Sequence, residues 1–226
     1  PVMVDLTPAA ITINTIATDD VINAAEKGAD LTLSGTTTNV EPGQTVTVTF
    51  GGKNYTASVA SDGSWTATLP AADLTALPEG SASAQASVSN INGNSASAVH
   101  NYSIDSSAPT IIINTVASDN IVNASEADAG VTVSGSTTAE AGQIVTVTLN
   151  SPTVQTYQAT VQADGSWSIN IPAADLEALT DGSHTLTATV NDKAGNPAST
   201  THNLAVDLTV PVLTINTIAG DDIINA

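Results

Sequence analysis

One short acidic word recurs along the chain, and its residue types are suited to binding a cation. It reads TDDVINAAE at residues 18–26, SDNIVNASE at residues 118–126 and GDDIINA at residues 220–226. Each copy places carboxylate and amide side chains around small apolar residues. Such oxygens are ligands for hard divalent cations, but they also accept hydrogen bonds from backbone amides in turns. The pattern is compatible with both uses.

The charge of the chain favours cationic partners. There are 22 Asp and Glu residues against three Lys and no Arg, so the net charge is −19. This balance excludes nucleic acid and anionic membranes as natural partners and leaves cations or basic surfaces. No apolar run reaches the roughly 18 residues of a membrane span, so no membrane insertion is expected, and no signal-peptide pattern opens the chain.

The chain contains no cysteine. Secreted domains of this size are often cross-linked by disulfides. A chain without them is either cytosolic or is held together by another device, of which a bound metal is one.

Internal repeats divide the chain. Asn14 matches Asn114, Trp65 matches Trp167, and Asp105 matches Asp207, at spacings of 100 to 102 residues. We therefore interpret the chain as two complete repeats and the start of a third, cut from a longer protein. The predicted parts are the end of a preceding linker (1–9), repeat 1 (10–104), a linker (105–109), repeat 2 (110–206), and a linker with the first strand of a truncated repeat (207–226).

Turn signals every eight to twelve residues within a repeat predict short antiparallel strands. In repeat 1 the predicted strands are AITINT, LTLSGTT, QTVTVTF, NYTASVAS, SWTATL, SASAQASVS and SAVHNYSI, which we denote A to G. The expected fold class is all-β, with tandem immunoglobulin-like sandwiches of seven antiparallel strands. The Asp-Gly pairs at Asp62 and Asp164 predict tight two-residue hairpin turns.

The word PAADL, which recurs at residues 70–74 and 172–176, is too short for more than one or two helical turns. We interpret it as the connection between strands E and F, with Leu74 and Leu77, and in repeat 2 Leu176 and Leu179, entering the core. Trp65 and Trp167 are interpreted as core residues rather than as carbohydrate-stacking platforms, because a lone aromatic provides no platform.

These words, in the order INTIATDDVINAAE, SGTT, EPGQTVTVTF, DGSWTATLPAADL, NDKAGN and VDLTVP, resemble the bacterial immunoglobulin-like repeats of giant adhesins. Such adhesins leave Gram-negative cells by type I secretion and act in biofilm formation or host attachment. The resemblance covers both repeats and the beginning of the third. It implies an extracellular location on the bacterial cell surface and calcium ions bound near the junctions between repeats.

The expected topology indicates which residues could supply calcium with its six to eight oxygen ligands. The A–B loop and the end of strand G lie at one pole of a sandwich, and the B–C and F–G loops lie at the other. The candidate ligands of the first junction are Asp19, Asp20, Glu26 and Asp105, with Glu140, Asn191, Asp192 and Asn196 from repeat 2. Lys27 and Lys193 are expected to point outward.

A second, weaker or incomplete site is expected from Asp119, Asn120, Glu126 and Asp207. A site at Asp5 is not favoured, because the corresponding loop of repeat 1, NINGN, lacks the aspartate of NDKAGN.

No pattern of an enzyme is present in the sequence. His100, His184 and His202 fall on predicted strands without metal-ligand spacing, and they are interpreted as plain surface residues. No nucleophile elbow or phosphate-binding loop is found, so an enzyme is not expected.

Two classes of function remain. The first is a calcium-rigidified stalk segment of an adhesin, a monomer whose partners are its neighbouring repeats, while other parts of the parent bind a host-cell or biofilm-matrix ligand. The second is a module whose own loops bind a glycan or protein. The near-identity of the loop words favours the stalk, since a dedicated binding site usually lies on loops that vary over a constant scaffold.

Overall fold

A computed structural model describes residues 7–150 and 154–216. It divides into two compact units. Unit 1 comprises the described residues up to Pro109 together with Asn191–Ala198, and unit 2 comprises Thr110–Val190 and the described residues from Ser199 onward. Asp5 and the third acidic word, at residues 220–226, lie outside the described residues.

Repeat 1 forms two facing sheets. Its strands are β1 (Ala10–Ile11), β2 (Val21–Ile22), β3 (Leu31–Thr38), β4 (Thr45–Phe50), β5 (Lys53–Ser58), β6 (Ser64–Leu69), β7 (Gly80–Ser89) and β8 (Ser95–Ile104). One sheet has the order β1-β3-β6 and the other the order β2-β8-β7-β4-β5. Two short helices complete the repeat, α1 (Ala24–Lys27) and α2 (Ala71–Leu74).

Repeat 2 has the same architecture. Its strands are β9 (Ile111–Ile113), β10 (Ile121–Asn123), β11 (Val131–Thr137), β12 (Ile144–Asn150), β13 (Gln155–Thr160), β14 (Ser166–Ile171), β15 (Gly182–Asn191) and β16 (Pro197–Asp207). The sheet orders are β14-β11-β9 and β10-β16-β15-β12-β13. The helices are α3 (Ala124–Ala129) and α4 (Ala173–Glu177). The all-β fold class of tandem immunoglobulin-like sandwiches is confirmed.

The core is built by the alternation of side chains along the strands. In β12, Val145, Val147 and Leu149 are fully buried, whereas the threonines between them face outward. Because successive side chains of a strand point to opposite faces, this pattern fixes which face meets the other sheet. Trp65 and Trp167 are almost completely buried, which confirms that they are core residues.

Each repeat gains one short strand beyond the seven that the sequence predicts. The predicted strand A is β1, which pairs with β3; the backbone then crosses to the other sheet as β2, which pairs in parallel with β8. The corresponding strand of repeat 2, β10, pairs in parallel with β16. The predicted A–B loop therefore contains a strand and a helix.

The Asp-Gly turns differ from the prediction in what they connect. The Ser64 amide donates to Asp62 Oδ1 at 3.0 Å, and Gly63 has a φ of 82°, as a tight turn requires. However, β5 and β6 lie in different sheets, so the turn is not a hairpin. The prediction was wrong because local turn chemistry does not reveal with which strands the flanking segments pair.

The PAADL segments connect β6 to β7 and β14 to β15, as interpreted from the sequence, and each forms a one-turn helix. Leu74 and Leu176 are fully buried, Leu179 is buried and Leu77 packs partly buried against the core. A tyrosine on the neighbouring strand holds each helix, since Tyr55 donates to Asp73 at 2.8 Å and Tyr157 donates to Asp175 at 2.6 Å.

Candidate functional site

The first aspartate of each acidic word closes a turn within its own loop. Asp19 Oδ1 accepts a hydrogen bond from the Val21 amide at 3.0 Å, and Asp119 Oδ1 accepts one from the Ile121 amide at 3.0 Å. Both aspartates are exposed. Each carboxylate therefore shapes the loop and remains in contact with solvent.

The second acidic position binds a histidine of the neighbouring strand β8. Asp20 Oδ1 accepts hydrogen bonds from the Ile16 amide at 2.8 Å and from His100 Nε2 at 2.6 Å. The backbone of Asp20 is in the left-handed region, with a φ of 67°, which Asp and Asn tolerate better than most residues. The hydrogen bond from the Ile16 amide has the largest effect on the pKa of the Asp20 carboxyl, and the bond from His100 has the next largest. Both lower this pKa because they stabilise the charged form.

Repeat 2 keeps this arrangement with an amide in place of the carboxylate. Asn120 Oδ1 accepts from the Val116 amide at 2.9 Å and lies 2.7 Å from His202 Nε2. An amide oxygen cannot donate, so His202 carries a proton on Nε2 in this contact. The change from Asp20 to Asn120 is therefore tolerated because the position requires an acceptor rather than a charge.

The end of each acidic word is a capping box, in which an N-cap side chain and the N3 side chain satisfy each other's backbone amides. Asn23 Oδ1 accepts from the Ala25 and Glu26 amides, and Glu26 Oε2 accepts from the Asn23 amide at 3.1 Å. Asn123 and Glu126 make the same bonds at α3. The Asn-x-x-Glu spacing specifies this helix start, although Glu26 and Glu126 are predicted from the sequence only as calcium ligands.

The parallel strands bring the acidic word beside the end of the last strand. The Ser103 amide donates to Asp20 O at 2.9 Å, and the Asp105 amide donates to Ile22 O at 3.1 Å. In repeat 2 the strand register aligns Asn123 with Asp207. Each linker aspartate therefore lies next to the N-cap asparagine of its own repeat.

The segment Asn191–Ala198 belongs to unit 1. It contains a turn at residues 192–196, which we name the Asn196 turn. Asn196 Oδ1 accepts from the Ala24 amide at 2.8 Å, while its Nδ2 donates to Asp105 O at 2.9 Å and to Asp192 Oδ2 at 2.9 Å. Asp192 Oδ1 accepts from the Asn196 amide at 2.8 Å. Both side chains are buried, Asn196 to within 1% exposure. Unit 1 thus gathers Asp105, Asp192 and Asn196 of the predicted ligand set.

The other predicted ligands lie apart from this group of side chains. Asn191 is the exposed last residue of β15. Glu140 is exposed in the turn before β12, where its carbonyl accepts from the Gln143 amide at 3.1 Å. Asp207 Oδ1 accepts from the Thr209 amide at 3.2 Å.

Two acidic residues outside the predicted set hold the linkers. Glu79 accepts hydrogen bonds from the Ser106 amide at 2.9 Å and from the Ser106 hydroxyl. Asp181 accepts from the Leu208 amide at 2.7 Å and from the Thr209 hydroxyl at 2.6 Å. These hydroxyl and amide donors lower the pKa of both carboxyls. In the sequence, these two acids are marked only by the glycine that follows each of them, Gly80 at the start of β7 and Gly182 at the start of β15.

The prediction that Lys27 points outward was wrong. Lys27 Nζ lies 3.4 Å from Glu79 Oε1 and 3.2 Å from Ser106 Oγ, with its side chain 15% exposed. The long aliphatic stem allows the ammonium group to reach an acid that is 52 residues away along the chain. Lys27 therefore helps to hold the linker.

The interpretation of the histidines as plain surface residues was also wrong. His184 is buried, and its Nε2 lies 2.8 Å from Thr180 O. His100 and His202 bind the second position of the acidic word. Their positions on β15, β8 and β16 agree with the predicted strands.

Calcium requires six to eight oxygens around one point. Within residues 7–150 and 154–216, no group of three or more His, Asp or Glu side chains is placed to hold a metal ion. The carboxylates instead accept bonds from nearby amides. The ligand role of the twelve predicted residues therefore stays a prediction.

The described part of the chain, residues 7–150 and 154–216, contains no helix that is both long enough and apolar enough to cross a membrane.

Comparison with known proteins identifies the type of domain. The sequence model of the bacterial Ig-like domain family matches residues 113–208. A solved Ca²⁺-stabilised adhesin, with which an Antarctic bacterium binds ice, is 34% identical with a TM-score of 0.59, over 96% of this chain and 54% of the other. A structure concerned with the host-cell surface retention of a 1.5-MDa bacterial ice-binding adhesin is 33% identical with a TM-score of 0.56, over 96% of this chain and 72% of the other.

More distant structures share the fold alone. Fibronectin(III)-like modules of CbhA from Clostridium thermocellum are 13% identical with a TM-score of 0.50, over 88% of this chain and 93% of the other. No curated protein matches the chain by sequence at a significant level. The chain spans 54% of the length of the first adhesin structure. From the matches over both repeats, the chain belongs to the family of bacterial Ig-like domains, as found in the repeats of large bacterial adhesins.

Proposed function

We propose that the chain is a stalk segment of a large repetitive adhesin on the bacterial surface, that calcium rigidifies it, and that it has no enzymatic activity. In this role the repeats hold an adhesive part of the parent protein away from the cell and so support adhesion or biofilm formation. The similarity to adhesin repeats supports an extracellular location.

This proposal rests on one observation: the acidic loops of the two repeats make equivalent hydrogen bonds. Both copies use the first position for a turn, the second to bind a backbone amide and a histidine, and the Asn-x-x-Glu spacing for a capping box. A loop that serves recognition is free to vary over its scaffold. A loop that repeats its internal bonds is suited to a structural role in every repeat.

Two observations support calcium as the rigidifying ion. One of the similar structures is a Ca²⁺-stabilised adhesin, and this chain has a net charge of −19 with no cysteine. The exposed Asp19 precedes β2, and the linker Asp105 follows β8. To complete a calcium shell, these carboxylates would need backbone carbonyls or water as further ligands.

Small-angle scattering of the chain tests the proposal. We expect a larger maximum dimension and a narrower distribution of shapes in calcium than in EDTA. Asp105→Ala should reduce this difference, because it removes the linker carboxylate while leaving the sandwich cores intact. Asp128→Ala is the matched control, since Asp128 is exposed on α3 and lies outside the predicted ligand set.

Equal scattering profiles in calcium and EDTA would contradict calcium rigidification. An Asp128→Ala effect as large as that of Asp105→Ala would show that only the total charge matters. Specific glycan binding by the isolated chain on a glycan array would favour the alternative, in which each repeat is itself a binding module.

A further inference from the structure

The surface that receives the Asn196 turn in unit 1 has a counterpart in unit 2. In unit 1, Asn196 bonds to the Ala24 amide and to the Asp105 carbonyl. The matching residues of repeat 2 are Ala124 and Asp207. They line a cavity of about 420 Å³, which we name the Asn123 cavity, together with Ile121, Asn123, Thr209 and Pro211.

The backbone frame of the two surfaces is the same. In unit 1 the β2–β8 register ends with Ile22 opposite Ile104, directly before Asn23 and Asp105. In unit 2 the β10–β16 register aligns Asn123 with Asp207. The N-cap asparagine carries the same capping box in both. The donor and acceptor that Asn196 uses in unit 1 therefore recur around the Asn123 cavity.

The Asn196 turn is built to present its side chain in one orientation. Asp192 accepts from both the backbone amide and Nδ2 of Asn196, at 2.8 and 2.9 Å. A carboxylate accepts only, so it fixes Nδ2 towards itself and leaves Oδ1 for an amide donor. The near-complete burial of Asn196 means that its hydrogen bonds have little competition from water.

Repeat 1 contains a turn of the same design. The Asn94 amide donates to Asn90 Oδ1 at 2.9 Å, and the Gly93 amide donates to Asn90 O at 3.0 Å, as Gly195 does to Asp192 O at 3.1 Å. Asn94 Nδ2 reaches the Thr7 carbonyl at 3.4 Å. Each repeat thus offers such a turn, and each also offers an N-cap asparagine beside a linker aspartate.

We propose that the Asn123 cavity is a docking socket for a turn of the form Asn/Asp-x-x-Gly-Asn from a further bacterial Ig-like repeat. The last asparagine of that turn accepts a hydrogen bond from the Ala124 amide and donates one to the Asp207 carbonyl. One amide side chain therefore makes both polar contacts. This proposal rests on the proposed function in one respect, namely that the occupant is another repeat of this family.

The test extends the chain by a further repeat. Residues 1–211 are followed by a second copy of residues 110–211, which restores the Pro-Thr junction found at Pro109. Hydrogen exchange of the Ala124 amide is then measured by NMR, with the Ala24 amide of the same chain as reference. We expect exchange at Ala124 to slow about tenfold relative to the unextended chain, as one added hydrogen bond predicts.

Variants in the appended copy separate docking from the mere presence of another domain. Asn196→Ala in that copy should restore fast exchange at Ala124 and leave Ala24 unchanged. Asn203→Ala in the same copy, an exposed strand residue, is the matched control and should keep Ala124 protected. Unchanged exchange at Ala124 with a folded appended copy, as judged by its own Trp167 signal, would overturn the proposal.

A second arm needs no extension. In the chain itself, Asn196→Ala should accelerate exchange at Ala24 about tenfold, whereas Asn203→Ala should not. If Ala24 exchange is the same in the Asn196→Ala variant and the parent, the turn does not dock through this amide and the proposal fails, whether or not the extended chain folds.

Calcium dependence distinguishes this proposal from the proposed function. Both arms are run in calcium and in EDTA. Protection of Ala124 that persists in EDTA supports direct docking, even if calcium has no effect on scattering. Protection that disappears in EDTA overturns docking by the asparagine alone and leaves calcium rigidification standing.

Discussion

At the scale of single residues, the two repeats provide a matched pair in which one acceptor titrates and the other does not. Asp20 and Asn120 bind equivalent amides, those of Ile16 and Val116, and equivalent histidines, His100 and His202. Any acid-dependent difference between the two loops therefore has its source in one carboxyl group.

We predict that acid weakens the loop of repeat 1 before that of repeat 2. The pKa of Asp20 is lowered, chiefly by the Ile16 amide, so its stabilising effect is complete above the unfolded value of about 3.9. That effect is lost as the pH falls through the lower, folded pKa. The amide chemical shift of Ile16 should show this titration step in NMR spectra, and that of Val116 should not.

Asp20→Asn should remove the step at Ile16 and make the first loop behave as the second. Identical acid titrations of Ile16 and Val116 in the parent chain would contradict the assignment of the Asp20 carboxylate as the acceptor.

At the scale of elements, one glycine in each repeat allows the first strand and the core tryptophan to approach. A Cβ added to Gly135 would lie 1.9 Å from Ile112 O and 2.5 Å from the Trp167 ring, and Gly35 is placed in the same way. Neither backbone nor ring can move away without disturbing the pairing of β9 with β11 and the packing of the core.

We predict that Gly135→Ala destabilises repeat 2 by about 1–3 kcal/mol or more, as overpacking does. Urea unfolding followed by tryptophan fluorescence measures this, because each repeat contains one of the two tryptophans. Gly28→Ala is the control, since its φ of −87° suits alanine and the added Cβ would meet Ala24 O at an ordinary 3.5 Å. A Gly135→Ala chain that unfolds like the Gly28→Ala chain would refute the packing argument.

The sequence predicted the elements whose signals are local. The alternation in QTVTVTF and IVTVTLN specifies β4 and β12. The tryptophans were predicted to be core residues because each lacks the aromatic neighbour that a stacking platform would need. By contrast, β2 has only two residues, which is too short for a period-two pattern, and its parallel pairing with β8 is a contact across the repeat.

The candidate site was less predictable for the same reason. The partner of Asp20 is 80 residues away and that of Lys27 is 52 residues away. The sequence specified which side chains carry oxygen, but not that most of those oxygens accept bonds from backbone amides. The capping box at Asn23 was readable from spacing alone.

At the scale of the whole molecule, negative charge is hardly neutralised. The sequence has three lysines and no arginine against 22 acidic residues. Lys27 pairs with Glu79 at 3.4 Å, and Lys53 pairs with Asp73 at 2.5 Å. The remaining acidic residues repel one another, which weakens the folded state at low ionic strength.

We predict that calcium raises the melting temperature by several degrees. An ion that binds only the folded chain stabilises it by about 2.7 kcal/mol at a hundredfold excess over its Kd. Magnesium should have a smaller effect because it demands a compact octahedral shell. Differential scanning calorimetry in CaCl₂, MgCl₂ and NaCl at matched ionic strength separates binding from screening, and equal melting temperatures in the three salts would exclude specific calcium sites.

The parallel pairing of β2 with β8 also determines how a repeat responds to being pulled by its ends. The chain enters β2 through the first residues of the acidic word and leaves β8 into the linker, so tension draws the two strands in opposite directions along their length. The bonds from Ser103 to Asp20 and from Asp105 to Ile22 then carry the load together in shear, instead of opening one after another. The acidic word of each repeat is thus also the place where the fold resists stretching.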